Sequence, residues 1–203
     1  MYNALSKYIT MINLIIKIIS AICFLLISPV IILSMIFIFI EDGLPTVFTQ
    51  KRLGINKKEF YIYKLRTMKK NTPNLATHEI NKDKLLNVGV FLRKFKIDEL
   101  PQVLNYIKGD INLVGPRPGL PSQKELAHQR EINNIFDIKP GITGLAQILG
   151  YDMSDPILLS KIDKIYLNNQ STDVKLRILL ATFYKRYRSN IEKIFKDDIN
   201  NIN

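Results

Sequence analysis

From Ile18 to Ile40, 23 consecutive residues carry no charge. A helix of that length matches a bilayer hydrocarbon core about 30 Å thick. One that is apolar on every side does not suit the surface of a soluble domain. Residues 11–40 hold 24 apolar side chains of 30, interrupted only by Asn13, Lys17, Ser20, Ser28, Pro29 and Ser34. The run is longer than the apolar stretch of a signal peptide, and no small-x-small cleavage site precedes Glu41, so a retained anchor is expected. The rest of the 203-residue chain is ordinary in composition and suits one soluble domain. This division excludes a many-span transporter and a disordered chain.

The middle of the run holds Ser28-Pro29. Proline has no N–H and its ring clashes with the carbonyl four residues back, here Leu25, so a bend is expected. Lys7 and Lys17 flank one side, and Lys51, Arg52, Lys57 and Lys58 the other. The positive-inside rule places both flanks in the cytoplasm. A segment that dips in, turns at Ser28-Pro29 and returns satisfies that rule. A mildly kinked single-span anchor is the other reading these residues allow.

The chain has 29 basic and 18 acidic residues, a net charge of +11. Such an excess suits an anionic membrane surface, phosphorylated substrates or nucleic acid, and the anchor favours the first two. A lone cysteine, Cys23, excludes a disulfide framework and a cysteine zinc site. His78 and His128 lack metal-ligand spacing. The P-loop, Rossmann, HExxH and GxSxG signatures are absent.

After the anchor, Glu41-Asp42-Gly43-Leu44-Pro45 reads as a turn. A β-hairpin is expected over 46–66, with strands Thr46–Gln50 and Phe60–Leu65 and a turn from Arg52 to Asn56. Residues 69–84 read as loop plus short helix. Two helical pieces are expected in 85–108 around Lys96, with Asp98 and Glu99 in the first turn of the second. Residues 113–119 read as a rigid extended loop, since proline fixes φ and restrains its predecessor. A polar helix over 121–136, a Gly/Pro turn over 139–144, and amphipathic helices over 156–169 and 174–196 complete the expectation. The fold class is α+β: a membrane-dipping N-terminal helix (residues 1–41), then a mostly helical cytosolic domain (42–203) with a short hairpin.

Four groups of residues can carry chemistry. Asp98 and Glu99 repel each other unless a cation sits beside them. A divalent ion serves that role, and oxygen ligands favour magnesium. A carboxylate can also accept a phosphoryl group as a nucleophile, although acids at a helix start also serve its dipole. Arg117, held between Pro116 and Pro118, is presented rigidly for bidentate contact with phosphate. The hairpin cations Lys51, Arg52, Lys64 and Arg66 can line an anion site or sit on acidic headgroups. Phe183-Tyr184-Lys185-Arg186-Tyr187-Arg188 mixes aromatics and bases as membrane-interface segments do.

Read in order, Ser28-Pro29, Asp42-Gly43-x-Pro45, Phe48-x-Gln50-x-Arg52-x-Gly54, Tyr63-Lys64-Leu65-Arg66-Thr67-Met68, Leu92-Arg93 through Asp98-Glu99-Leu100-Pro101-Gln102, Gly109-Asp110 through Gly115-Pro116-Arg117-Pro118, and Lys139-Pro140-Gly141-Ile142-Thr143-Gly144-Leu145-Ala146-Gln147 resemble the bacterial sugar transferase family. These are monotopic phosphoglycosyl transferases that initiate lipid-linked glycan assembly. The resemblance covers roughly residues 10–185 and suits the small members that hold only the catalytic core. It implies transfer of a sugar-1-phosphate from a UDP-sugar to undecaprenyl phosphate, with release of UMP. It makes Asp98 the nucleophile that forms a covalent phosphosugar intermediate, and Glu99 the residue that helps hold Mg2+. It makes Lys64, Arg66, Arg93, Arg117 and Gln147 candidates for the phosphates or nucleotide of the donor. Ser28 and Pro29 become the break of a re-entrant helix. The enzyme would then sit on the bacterial inner membrane, with both termini and the active site on the cytoplasmic face. Nucleic acid is not an expected partner, and a homodimer on the membrane is compatible with the pattern.

The sequence departs from the family pattern in places. Leu44 stands where a second glycine is frequent, Leu145 where tryptophan is frequent, and Lys175 where an aspartate is frequent near the last helix. These bear on sugar recognition and C-terminal packing. The alternative is a catalytically inactive membrane-anchored scaffold or anionic-lipid-binding protein. It predicts erosion of the Asp-Glu pair or the arginines, and both are intact.

Overall fold

A computed structural model describes residues 2–72 and 82–200; side chains are described from Leu14 onward, Lys17 excepted. Most of the loop expected over 69–84, and His78, lie outside the described residues. Those described form two compact units, one of residues 2–49, 62–72 and 82–109, the other of 50–61 and 110–200. The class is α+β and mostly helical, with two small sheets.

The first unit begins with helix α1, Tyr2–Asp42, which runs on through Pro29. Its stretch Leu14–Asp42 is long and apolar enough to cross a membrane, and little of it is covered. Proline leaves the Leu25 carbonyl without its helical donor, and the Ser28 hydroxyl donates to that carbonyl at 2.7 Å. Ser20 and Ser34 make the same backward bond to Ile16 and Val30, so each serine is satisfied within its own helix. One side of the last turns packs on protein: Ile31 and Ile38 join Leu65, Leu86 and Leu92 in a core. The other side leaves Leu33, Ile36, Phe37, Phe39 and Ile40 exposed.

The end of α1 is tied down by its own acids, Glu41 and Asp42, which by sequence read only as part of a turn. Glu41 accepts from the N–H groups of Asn87 and Val88, at 2.6 and 2.9 Å. It thereby caps helix α2, Asn87–Lys94, whose own N-cap residue, Leu86, provides no side-chain bond. Asp42 pairs with Arg66. Gly43 then turns the chain at φ 63°, a left-handed conformation that glycine adopts without steric cost.

Strands β1, Val47–Leu53, and β2, Glu59–Leu65, form the hairpin. The first strand continues three residues past the expected Gln50, so the turn begins at Gly54 instead of Arg52. The second unit contains a sheet where the sequence predicts the start of an extended loop (from Leu113) and a Gly/Pro turn (139–144). Strand β3, Asn112–Val114, pairs in parallel with β4, Gly141–Thr143. A parallel pair needs partners distant in the chain, so local turn chemistry could not reveal it.

The helices of this unit are α4 (Lys124–Ile132), α5 (Leu145–Leu149), α6 (Pro156–Asn168), α7 (Thr172–Phe183), α8 (Lys185–Ile194) and α9 (Lys196–Asn200). Asp155 caps α6 through Leu158 N, with Pro156 in the first turn; Ser171 caps α7. Leu145 is buried in the core with Ile162, Tyr166, Ile178 and Ile191, so leucine fills the place where the family often has tryptophan. Burial lifts the Tyr166 hydroxyl to a pKa of about 12. The helix expected over 174–196 is two helices, broken at Tyr184, whose backbone is extended. In one straight helix Ile178 and Ile191 would point roughly 140° apart. The break lets both reach one core, where each is fully buried. Phe183 and Tyr184 at the break stay exposed.

Candidate active site

The Asp-Glu pair owes its position to a short irregular passage in the first unit. Helix α2 ends at Lys94, and Lys96 takes a left-handed conformation, φ 57°. The chain then enters a 3-10 helix, Ile97–Gln102, that carries Asp98, Glu99 and Pro101, followed by α3, Val103–Lys108. The two helical pieces around Lys96 are as expected, but the first turn of the second is tighter than an α-helix. Ile97 and Leu100 face the core beside α1. Gly89 lets α2 lie against the backbone beyond β2: a Cβ there would be 2.3 Å from the Thr67 carbonyl oxygen. On the other side, the fully buried Asn105 of α3 accepts from the Tyr63 N–H at 3.1 Å.

This packing sets β2 and the 3-10 helix side by side. Lys64 Nζ donates to Glu99 Oε1 at 2.8 Å, with both side chains mostly buried. Arg93 Nε donates to Thr67 Oγ1 at 2.8 Å. Asp98 is only 7% exposed. Burial raises its pKa above the ordinary value; Lys64 and Arg93 pull it down, and Glu99 pushes it up. A carboxylate that is buried yet flanked by two cations remains available in ionised form and is a stronger base than a solvated one.

The structure thus gathers Lys64, Arg93 and Glu99 about Asp98. Arg66 turns its guanidinium to the end of α1, donating to the Asp42 carboxylate and, at 2.6 Å, to the Gly43 carbonyl. Arg117 and Gln147 belong to the second unit. Gln147 stands on α5, with its amide nitrogen 3.4 Å from the Ile142 carbonyl.

Arg117 lies in a loop whose carbonyls are all held. Gly141 N donates to Pro116 O at 2.9 Å, and Leu53 N to Gly119 O at 3.0 Å. Arg130 Nη1 donates to Arg117 O at 2.8 Å and Arg52 Nη1 to Pro118 O at 2.9 Å. Arg130 in turn places Nε and Nη2 on Asp163 Oδ2, at 3.0 and 2.6 Å. Sequence reasoning did not find Arg130 or Asp163. Arg130 stands on a helix that reads as polar and Asp163 on one that reads as amphipathic; on both a charge reads as surface, and only their burial distinguishes them.

Among the described residues, no three His, Cys, Asp or Glu side chains gather as a metal cage. Asp98 and Glu99 offer two carboxylates, which is what Mg2+ takes from a protein when phosphate oxygens and water complete its shell. The donor set therefore fits that ion in company with a phosphorylated ligand.

The family model described as bacterial sugar transferase matches residues 8–189. The sugar transferase EpsL of Bacillus subtilis is 37% identical over 161 residues, covering 78% of each chain. A UDP-glucose:undecaprenyl-phosphate glucose-1-phosphate transferase of Caulobacter vibrioides is 39% identical over 129 residues, 62% of this chain and 48% of that protein. A UDP-N-acetylgalactosamine-undecaprenyl-phosphate N-acetylgalactosaminephosphotransferase of Aeromonas hydrophila is 34% identical over 167 residues, 77% of this chain and 39% of that one. The chain thus spans less than half the length of each of these two undecaprenyl-phosphate transferases. With the long apolar helix, the Asp-Glu pair and the Pro-Arg-Pro loop already described, the match over 182 of 203 residues establishes that this chain belongs to the bacterial sugar transferase family.

Proposed function

We propose that this transferase moves a sugar-1-phosphate from a UDP-sugar to undecaprenyl phosphate, with Asp98 as the nucleophile, as the first membrane step of a glycan. The observation that carries the reading is one buried carboxylate flanked by a Lys64–Glu99 pair and by Arg93. The relatives' names supply the substrate classes.

In this reading an Asp98 carboxylate oxygen attacks the β-phosphorus of the donor. The bond from that phosphorus to the bridging oxygen breaks, and UMP leaves with the electron pair. A phosphate oxygen of undecaprenyl phosphate then attacks the same phosphorus. Asp98 is released as a carboxylate, and the product is undecaprenyl diphosphate sugar. No proton need move in either displacement, so the work is positioning and charge neutralisation. Lys64 and Arg93 supply cations at the phosphates. Glu99, beside Asp98, would hold Mg2+, which supplies further neutralisation of the diphosphate. Arg117 and Gln147 recognise the uridine diphosphate part of the donor.

The acceptor's phosphate lies at the headgroup level. An anchor that enters the cytoplasmic leaflet, turns at Ser28-Pro29 and returns keeps both termini and the site in the cytosol. The bare apolar flank of α1 and the exposed Phe183, Tyr184 and Tyr187 beside Lys185, Arg186 and Arg188 support membrane association.

The test is to incubate the purified full chain with Mg2+ and a panel of UDP-sugars without lipid, then locate the adduct by mass spectrometry. A phosphosugar on Asp98, lost in Asp98→Asn, is expected with at least one donor, and UMP release should require undecaprenyl phosphate for multiple turnovers. Turnover without any adduct, or an adduct elsewhere, overturns the nucleophile assignment.

A further inference from the structure

We infer that Arg130, held by Asp163, is a positioning residue that aims Arg117 by fixing the backbone of the Pro116–Gly119 loop. The inference rests on the reading of Arg117 as a contact for the uridine diphosphate of the donor.

Pro116 and Pro118 have no N–H, so the loop has few donors with which to fix itself. It is held through its acceptors instead: four successive carbonyls, 116 to 119, each receive a hydrogen bond from elsewhere in the second unit. Backbone donors serve the outer two. The inner two, on Arg117 and Pro118, receive guanidinium groups from Arg130 and Arg52.

Arg130 and Asp163 are 3% and 2% exposed. A buried ion pair is a poor way to join two helices when packed apolar residues do it as well or better. A purely adhesive role for the pair therefore leaves its cost unexplained. The planar guanidinium does something that no apolar residue can. Two of its nitrogens lie on one Asp163 oxygen, which fixes the plane, and the third is directed at Arg117 O. Lysine, with a single nitrogen on a flexible stem, cannot reproduce that geometry. Asp163 on α6 thus orients Arg130 on α4, and Arg130 orients the peptide from which the Arg117 side chain springs. Arg52, anchored by Gln50 Oε1 at 2.5 Å, does the same one residue further on.

The test uses the full-length protein in detergent, with UDP alone as the probe. Dissociation constants and melting temperatures are measured for wild type, Arg117→Ala, Arg130→Lys, Arg52→Lys and the double variant Arg117→Ala/Arg130→Lys. Arg130→Lys is expected to weaken UDP binding about 10-fold, as small misplacements of a contact group do. KM for the UDP-sugar should rise while KM for undecaprenyl phosphate holds. In the Arg117→Ala background the same change should have no further effect on UDP. Folded Arg130→Lys with wild-type UDP affinity, or a full effect persisting without the Arg117 side chain, overturns the inference. If Arg130→Lys does not fold, Arg52→Lys applies the same test at Pro118. If Arg117→Ala itself leaves UDP binding unchanged, the donor-contact reading of Arg117 falls, and this inference with it. A weakened Arg117→Ala beside an unaffected Arg130→Lys sinks the inference alone.

Discussion

Lys64 Nζ and Glu99 Oε1 are 2.8 Å apart, joined across 35 positions of chain and immediately beside the nucleophile candidate. Each side chain keeps the other's charge compensated in a mostly buried place. Lys64→Met should leave Glu99 without its cation and remove one positive charge from the phosphate site. The expected loss is roughly 100-fold in kcat, the scale for deleting one electrostatic contact to a transition state. Lys64→Arg should recover part of it. UMP release measured at saturating donor checks both; unchanged turnover in Lys64→Met would remove the pair from the mechanism.

Asp98 makes a stability prediction of opposite sign to its catalytic one. Its folded-state pKa is raised by burial above the ordinary 3.8. A group shifted that way contributes stability fully below its unfolded pKa and loses it as pH rises through the folded value. At neutral pH the ionised side chain therefore weakens the fold relative to a neutral isostere. Asp98→Asn should abolish activity yet raise Tm at pH 7, with the gain shrinking as pH approaches 4. Thermal scans over that range test the sign. The wild-type kcat/KM should likewise fall on acidification earlier than an ordinary aspartate would require.

Ser28 and Leu25 bear on topology. The serine hydroxyl takes up the carbonyl that Pro29 leaves open, so the interruption costs little inside a membrane, where an unsatisfied carbonyl is expensive. Cysteine-accessibility labels at both ends should be cytoplasmic in wild type. Pro29→Ala restores the missing N–H, and the N-terminal label is expected to shift to the opposite side in a measurable fraction of molecules. Labelling unchanged in Pro29→Ala would count against Pro29 as the cause of a re-entrant turn.

Gly141 and Gly115 lie closer than side chains allow. A Cβ on Gly141 would stand 2.1 Å from Gly115 N, backbone against backbone, so β3 and β4 would have to part. Gly141→Ala should destabilise by about 1–3 kcal/mol, a fall in Tm of roughly 2–4 °C per kcal/mol for a chain this size. Gly119→Ala is the control, since its nearest neighbour would be a Leu126 methyl group at 3.4 Å. Calorimetry distinguishes the two.

The sequence alone determined what is local. The uncharged run with its serine and proline, the hairpin of β-branched and aromatic residues, and the pairing of Asp98 with Glu99 are all written within a few residues of each other. Periodicity and turn chemistry act over that distance. Tertiary structure decided whatever depends on who meets whom across the chain. It paired β3 with β4 in parallel, and it broke the last long helix at Tyr184 so that Ile178 and Ile191 share a core. It gave Glu41 to the start of α2, and it turned Arg130 and Asp163 from surface charges into a buried clasp behind Arg117. A charge on an amphipathic helix looks the same in sequence whether water or a carbonyl receives it. Desolvation makes the difference, and only the packed chain determines where desolvation falls.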